Sequence, residues 1–212
     1  MSLNGKVVTE LGTRANPYKD RVAIDGKQIG APESHVYLVL HKPVGVVTTL
    51  DDPGDRHTVA DYLRRVKQRV FPVGRLDYQS SGLLLLTNDG ELALRLTHPR
   101  YHVDKTYRVK VHGSPDERSL TRLRQGIRLR DGKTAPASVR IVSQVGRKTW
   151  LEMRISEGKN HQIRRMCEAV RLPVDKLQRV TIGPLDLGKL APGKSRRLTD
   201  AELAKLRRAV GL

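Results

Sequence analysis

The chain has 212 residues, with 40 Lys+Arg against 22 Asp+Glu, a formal net charge of +18 and an isoelectric point near 10.5. That excess does not set a fold, but it points to a polyanionic partner. Nucleic acid fits better than a membrane surface, because no basic amphipathic segment stands apart. No apolar run approaches the ~18–20 residues needed to span a bilayer, the N-terminus lacks a signal-peptide core, and the single Cys167 forbids an internal disulfide, so a cytoplasmic protein is expected.

Along the chain, residues 4–29 read as two or three short strands with turns at Asn4-Gly5 and Asp25-Gly26, too few to hold a core alone. A seam follows near Gly30, Ala31, Pro32 and Glu33. VYLVLHKPVGVVTTL (36–50) reads as a buried strand, a turn through Lys42-Pro43 and Gly45, and a second strand. Thr58 and Asp61 form a capping-box pattern that predicts a helix over 58–68. GLLLLT (82–87) is a buried strand, Asn88-Asp89-Gly90 a turn, and ELALRLTHP a helix. KTYRVKVHG (105–113) alternates as a strand, and Ser114, Pro115 and Glu117 fit the N-cap, N1 and N3 of a helix. ASVRIVSQV and KTWLEMRIS are expected to pair, NHQIRRMCEAV to be a helix with Cys167 in its packed face, and KLQRVTIGPL a strand. Thr199 with Glu202 caps a last helix. Strands joined by turns, with few helices between them, indicate an α+β fold with a mostly antiparallel sheet.

The seven histidines are scattered and no Cys/His cluster exists, which argues against a metal site. Spacing alone leaves a Ser-His-Asp arrangement open, but no G-x-S-x-G elbow occurs. GKLAPGKS (188–195) matches the phosphate-loop pattern by letter. However, Arg196-Arg197-Leu198 precede the capped helix, and only 17 residues follow Ser195, too few for a nucleotide-binding fold. What remains is a polar set: Arg75, Asp77, Lys105, Tyr107 and the segment 157–165. Taken singly these are ordinary: an ion pair between Asp77 and Arg75, a packed strand tyrosine, a solvated basic helix end. In a strongly basic chain, their joint occurrence points to chemistry.

HKPVGV (41–46), GRLDYQSSGLLLLTNDGELALRLTHP (74–99), KTYRV (105–109), EGKNHQIRRM (157–166) and IGPLDLGKLAPGKSRRLT (182–199) together resemble the ribosomal RNA pseudouridine synthases of the RsuA/RluB-like family. Ser80 stands where many relatives carry Thr. The resemblance implies a catalytic domain over 33–212. Residues 1–32 resemble the last half of a small αL-type RNA-binding domain, plus a linker. It further implies isomerisation of a uridine in folded RNA without cofactor or metal, by a protein expected to be monomeric and to use no nucleotide cofactor. Overall likeness favours the large-subunit rRNA over the small; a non-catalytic rRNA-binding or assembly protein is the weaker alternative, since it leaves the Asp-Tyr-Arg set unexplained.

Carried over residue by residue, Asp77 is the essential carboxylate, acting at the sugar as nucleophile or base. Arg164 is its basic partner, Tyr107 stacks on the uracil, and Arg75 fills the space that the flipped nucleotide leaves. Lys42, Lys105, Lys159, His161, Gln162 and Arg165 are expected to contact RNA. The leucine run would then be the rigid strand behind the catalytic loop.

Overall fold

A computed structural model describes residues 1–16, 19–30, 33–64 and 66–212, which divide into two units, Met1–His35 and Val36–Leu212. In the first, β1 (Ser2–Leu3), β2 (Lys6–Val7), β3 (Val22–Ile24) and β4 (Lys27–Gln28) form one sheet in the order β2-β1-β3-β4. The expected hairpin dipeptides make its turns: Asn4 and Gly5 have φ of 52° and 84°, Asp25 and Gly26 of 49° and 76°. None of its described residues is buried, so this sheet has no core of its own. Ala31 and Pro32, within the expected seam, lie outside the described residues.

The second unit explains why four leucines run in succession. Its strands are β5 (Tyr37–Lys42), β6 (Phe71–Pro72), β7 (Ser81–Thr87), β8 (Lys105–His112), the two-stranded β9 (Arg128–Leu129) and β10 (Gly132–Lys133), β11 (Ser138–Val145), β12 (Lys148–Ile155), β13 (Val174–Ile182), β14 (Leu185–Asp186) and β15 (Ser195–Arg197). All but β9 and β10 form one sheet, ordered β11-β12-β8-β13-β7-β5-β15, with β14 on β13 and β6 on β7. Every pairing is antiparallel except β13 with β7. Four helices cover it: α1 (Gly90–Thr97), α2 (Glu117–Gln125), α3 (Gln162–Glu168) and α4 (Asp200–Arg208). Leu84 and Leu86 pack in the core that holds residues of α2 and α3, whereas Leu83 and Leu85 pack in a second core with α1 and α4. A strand covered on both faces has no solvent side, so its sequence does not alternate. The fold is thus α+β with a mostly antiparallel sheet, as expected.

Three local expectations change. VVTTL after Gly45 is not a strand and makes only an isolated bridge, Val47 to Thr58; the Thr48 hydroxyl turns instead to Leu76 in the loop before β7. The Thr58–Asp61 capping box forms, but it opens a single 3-10 turn, Val59–Tyr62, because Leu63 N–H returns to the Ala60 carbonyl. Beyond it Leu63 and Val66 pack onto the core while Arg64 and Lys67, like charges three apart, give no helical support. Arg65, inside that expected helix, lies outside the described residues. Finally, α2 begins two residues later than expected: Asp116, not Ser114, is its N-cap, accepting the Ser119 N–H at 2.8 Å. The Thr199–Glu202 capping box is as read, and the phosphate-loop lookalike runs into β15, which pairs with β5, rather than into a helix.

Candidate active site

The chain crosses from β6 to β7 through a loop, Val73–Ser80, whose backbone is tied down from Leu76 onward. Leu76 O accepts the Thr48 hydroxyl (2.6 Å), Asp77 O the Ser80 N–H (2.9 Å) and Tyr78 O the Gly45 N–H (2.8 Å). Gln79 O accepts Arg164 Nη2 (2.9 Å), and Ser80 O accepts Lys42 Nζ (2.9 Å). Five consecutive carbonyls are therefore occupied, which leaves the loop little freedom to carry its acid elsewhere. At the loop's exit Gly82 has φ of 113°, and a Cβ there would lie 2.1 Å from the Arg179 carbonyl oxygen. Only glycine permits this close approach of β7 to β13.

Asp77 lines a cleft of about 410 Å³, together with Arg75, Ser80, Lys105, Tyr107, the segment Ser156–Ile163, Arg179 and an apolar floor that includes Leu76, Ile155 and Leu177. Its carboxylate keeps 22% of its side-chain surface and lies 3.4 Å from His161 Nε2. His161 itself has the left-handed φ of 47° and precedes α3, so a strained backbone aims its ring across the cleft. Tyr107 shares the buried face of β8 with Val109 and Val111, as its alternation predicted, and its side chain reaches the cleft wall. Arg75 is exposed at the mouth, and Lys105 and Lys159 are half-buried in the lining. Burial lowers the Lys105 pKa, helped by the Arg179 charge and opposed by Asp104.

Four expected roles do not match this geometry. Arg164 makes no ion pair with Asp77: its Nη2 holds Gln79 O and its Nη1 reaches Val174 O at 3.4 Å, so it touches the loop that carries the acid rather than the acid itself. Lys42 is fully buried and cannot meet RNA; its Nζ is spent on Pro43 O (2.8 Å) and Ser80 O. Burial pushes its ammonium down to about 8, against the pull of Asp77 and with the push of Arg179. Gln162 is buried too, donating to Glu157 Oε1 (2.6 Å) and accepting the Lys159 N–H (2.9 Å), which shapes the 157–162 turn. Arg165 forms a two-pronged pair with Asp131 (2.9 and 3.0 Å) and does not line the cleft. Cys167 is buried, with its thiol pushed up to about 12 by burial, which leaves it inert.

Arg179 was missed. In KLQRVTIGPL it reads as an ordinary strand cation, yet it is buried, stands opposite Tyr107 across the β8–β13 pairing, and donates Nε to Leu83 O at 2.8 Å. The one available signal was an arginine two residues from Leu177, in phase with a buried face. Among the described residues, no three His, Cys, Asp or Glu side chains converge as metal ligands, and no helix is long and apolar enough to cross a membrane.

Residues 36–169 match the RNA pseudouridylate synthase family. An RNA pseudouridine synthase of Aquifex aeolicus (strain VF5) is 46% identical over 213 residues, spanning 100% of this chain and 85% of the relative. The ribosomal large subunit pseudouridine synthase B of Bacillus subtilis (strain 168) is 44% identical, over 98% of this chain and 85% of its own. A crystal structure of a pseudouridylate synthase superposes with a TM-score of 0.76 at 31% identity, covering 97% of this chain and 87% of that one. The motifs, the cleft and these relatives agree: the chain belongs to the RNA pseudouridine synthase family, in its RsuA/RluB-like branch, and is an enzyme that isomerises uridine to pseudouridine in RNA.

Proposed function

We propose that the protein isomerises a specific uridine of ribosomal RNA, in the large subunit, with Asp77 as the essential carboxylate. The observation that carries this is the loop Leu76–Ser80: all five of its carbonyls are bound, and it offers one partly open acid to a cleft beside a tyrosine. Isomerisation needs no electron or phosphoryl acceptor. It needs a carboxylate fixed at the sugar and a pocket that keeps the detached base from leaving, and the braced Asp77 and the cleft it lines support both. The carboxylate attacks C1′ or removes a neighbouring proton, the uracil departs and turns, and its C5 joins C1′ as the carboxylate leaves C1′ or gives the proton back. Tyr107 stacks on the base, Arg75 takes the space vacated in the RNA, and Arg164 positions the acid through Gln79. Lys105, Lys159 and His161 receive the flanking phosphates at the cleft.

The large-subunit assignment rests on the similarity to the B. subtilis protein of that name. Charge supports the second unit as the RNA-binding body: residues 1–35 hold five Lys/Arg and four Asp/Glu, leaving 35 and 18 to the rest. On this reading residues 1–32 correspond to the last half of an αL-type RNA-binding domain and add little charge to the RNA-binding body. The test is pseudouridine mapping on large- and small-subunit rRNA transcripts incubated with the protein. A single modified uridine in the large-subunit transcript is expected; modification confined to the small-subunit transcript would overturn the assignment.

A further inference from the structure

Among the described residues, two buried side-chain groups in the cleft wall end without a partner: Arg179 Nη2 and Ser80 Oγ. Arg179 is only 4% exposed and Ser80 1%. A buried guanidinium N–H left unmatched costs more than the ~1–3 kcal/mol of a neutral group. Arg164, Arg165 and Arg207 each leave an Nε unmatched as well, but only Arg179 leaves a guanidinium nitrogen unmatched in the wall of the cleft, where a ligand atom can meet it. The position says which. Arg179 is directly opposite Tyr107, and residues opposite across a strand pair project to the same face. A uracil stacked on Tyr107 therefore presents its edge to Arg179. Phosphate is the poorer occupant. It brings a full charge that would have to be dehydrated at a site this deep, while Lys159 and His161 offer cationic or polar groups nearer solvent for phosphates.

We propose that Arg179 is a catalytic residue: its guanidinium meets a carbonyl oxygen of the target uracil and stabilises the negative charge that the base collects on leaving the sugar. This rests on the pseudouridine reading of the same site. When N1–C1′ breaks, the bonding pair goes to the uracil and spreads over N1 and the two carbonyls. C1′ meanwhile bonds an Asp77 oxygen, or the sugar gives Asp77 a proton. C5 then bonds C1′ as the C1′–oxygen bond to Asp77 breaks and returns its pair to the carboxylate or, on the other route, as Asp77 returns its proton to the sugar. The C5 proton then leaves to a base in the cleft, and N1 takes up a proton. Arg179 stays protonated throughout and interacts most strongly when the charge is greatest, which is the requirement for lowering a barrier. Gly82 serves this arrangement as well, because its missing side chain lets β7 come close enough for Leu83 O to hold Arg179 Nε and fix the fork.

The experiment compares wild type, Arg179→Gln and Arg179→Lys in single-turnover reactions on an rRNA transcript carrying either uridine or 5-fluorouridine at the target. Fluorine makes the base a more acidic leaving group, so its departure needs less help. Arg179→Gln should slow the uridine reaction at least about a hundredfold, with RNA affinity unchanged within about threefold because phosphates dominate it. Its defect in N1–C1′ cleavage of the 5-fluorouridine substrate should be about tenfold smaller. An equal defect on both substrates would show that Arg179 merely braces β7, and a normal uridine rate would remove it from the reaction; either overturns the proposal. If Arg179→Gln lacks a cooperative melt, the same ratio is read from Arg179→Lys, which should retain part of the rate through its charge. A wild-type protein that forms no pseudouridine would instead refute the underlying reading.

Discussion

Replacing Lys42 by methionine separates a buried structural cation from an RNA contact. Lys42 is fully buried, and its Nζ donates to Pro43 O at 2.8 Å and Ser80 O at 2.9 Å. Methionine fills the space but strands both carbonyls, at about 1–3 kcal/mol each. Against this, an ammonium no longer has to be stripped of water, which returns part of the loss. The net cost near pH 7 is then about 2 kcal/mol, or ~4–8 °C in Tm for a unit of this size. The pH dependence is more diagnostic. The folded pKa is about 8 against an ordinary 10.5, so between these values the unfolded chain holds more protons and wild-type stability rises with pH. The methionine variant lacks that gain. The stability gap between the two should therefore widen by about 2–3 kcal/mol from pH 8 to 10.5. Turnover should fall at least about tenfold as Ser80 O is released, with RNA affinity intact. Urea titrations across that pH range, with filter binding and single-turnover rates, test all three. A gap that stays flat with pH, or lost affinity with normal turnover, would show that Lys42 is not a buried cation bracing Ser80.

Arg164→Ala should lower single-turnover rate at least about tenfold with little change in binding, because the Gln79 carbonyl loses its anchor. Arg165→Ala, which breaks only the Asp131 pair, should leave the rate within about threefold; the opposite ranking would contradict the loop argument. Tyr107→Phe keeps the stacking face but not the hydroxyl, and should bind RNA normally while forming pseudouridine at least about a hundredfold more slowly, if that hydroxyl assists loss of the C5 proton. A wild-type rate would assign Tyr107 to stacking alone.

The elements legible in the sequence were those set by local rules. Alternation located β8 and β12, the Asn-Gly and Asp-Gly turns located the hairpins of the first unit, and the last capping box located α4. The Thr58–Asp61 box misled about length, because a cap satisfies the first donors of a helix and says nothing about where packing turns the chain. In the site, Asp77, Tyr107, Arg75, Lys105, Lys159 and His161 were found by motif, and all line the cleft. Lys42, Gln162 and Arg165 are expected on the RNA from the motifs that carry the resemblance, and a motif does not show which of its polar residues the fold turns inward or pairs. Their burial or pairing depends on Ser80, Glu157 and Asp131, 38, 5 and 34 residues away. Arg179 was hidden for the same reason: only the fold shows that its strand neighbour is Tyr107 and that Gly82 lets β7 approach it.

On the proposed mechanism Asp77 does the chemistry on a uridine that other residues bind. The direct test is pseudouridine formed in rRNA by wild type and by Asp77→Asn, with the affinity of both for the same RNA measured in parallel. The Asn variant keeps the shape of the side chain and the bound carbonyls around it. The account predicts that it binds rRNA within about threefold of wild type, since phosphate contacts carry the affinity, and forms no detectable pseudouridine. Substantial isomerisation by the Asn variant would contradict it.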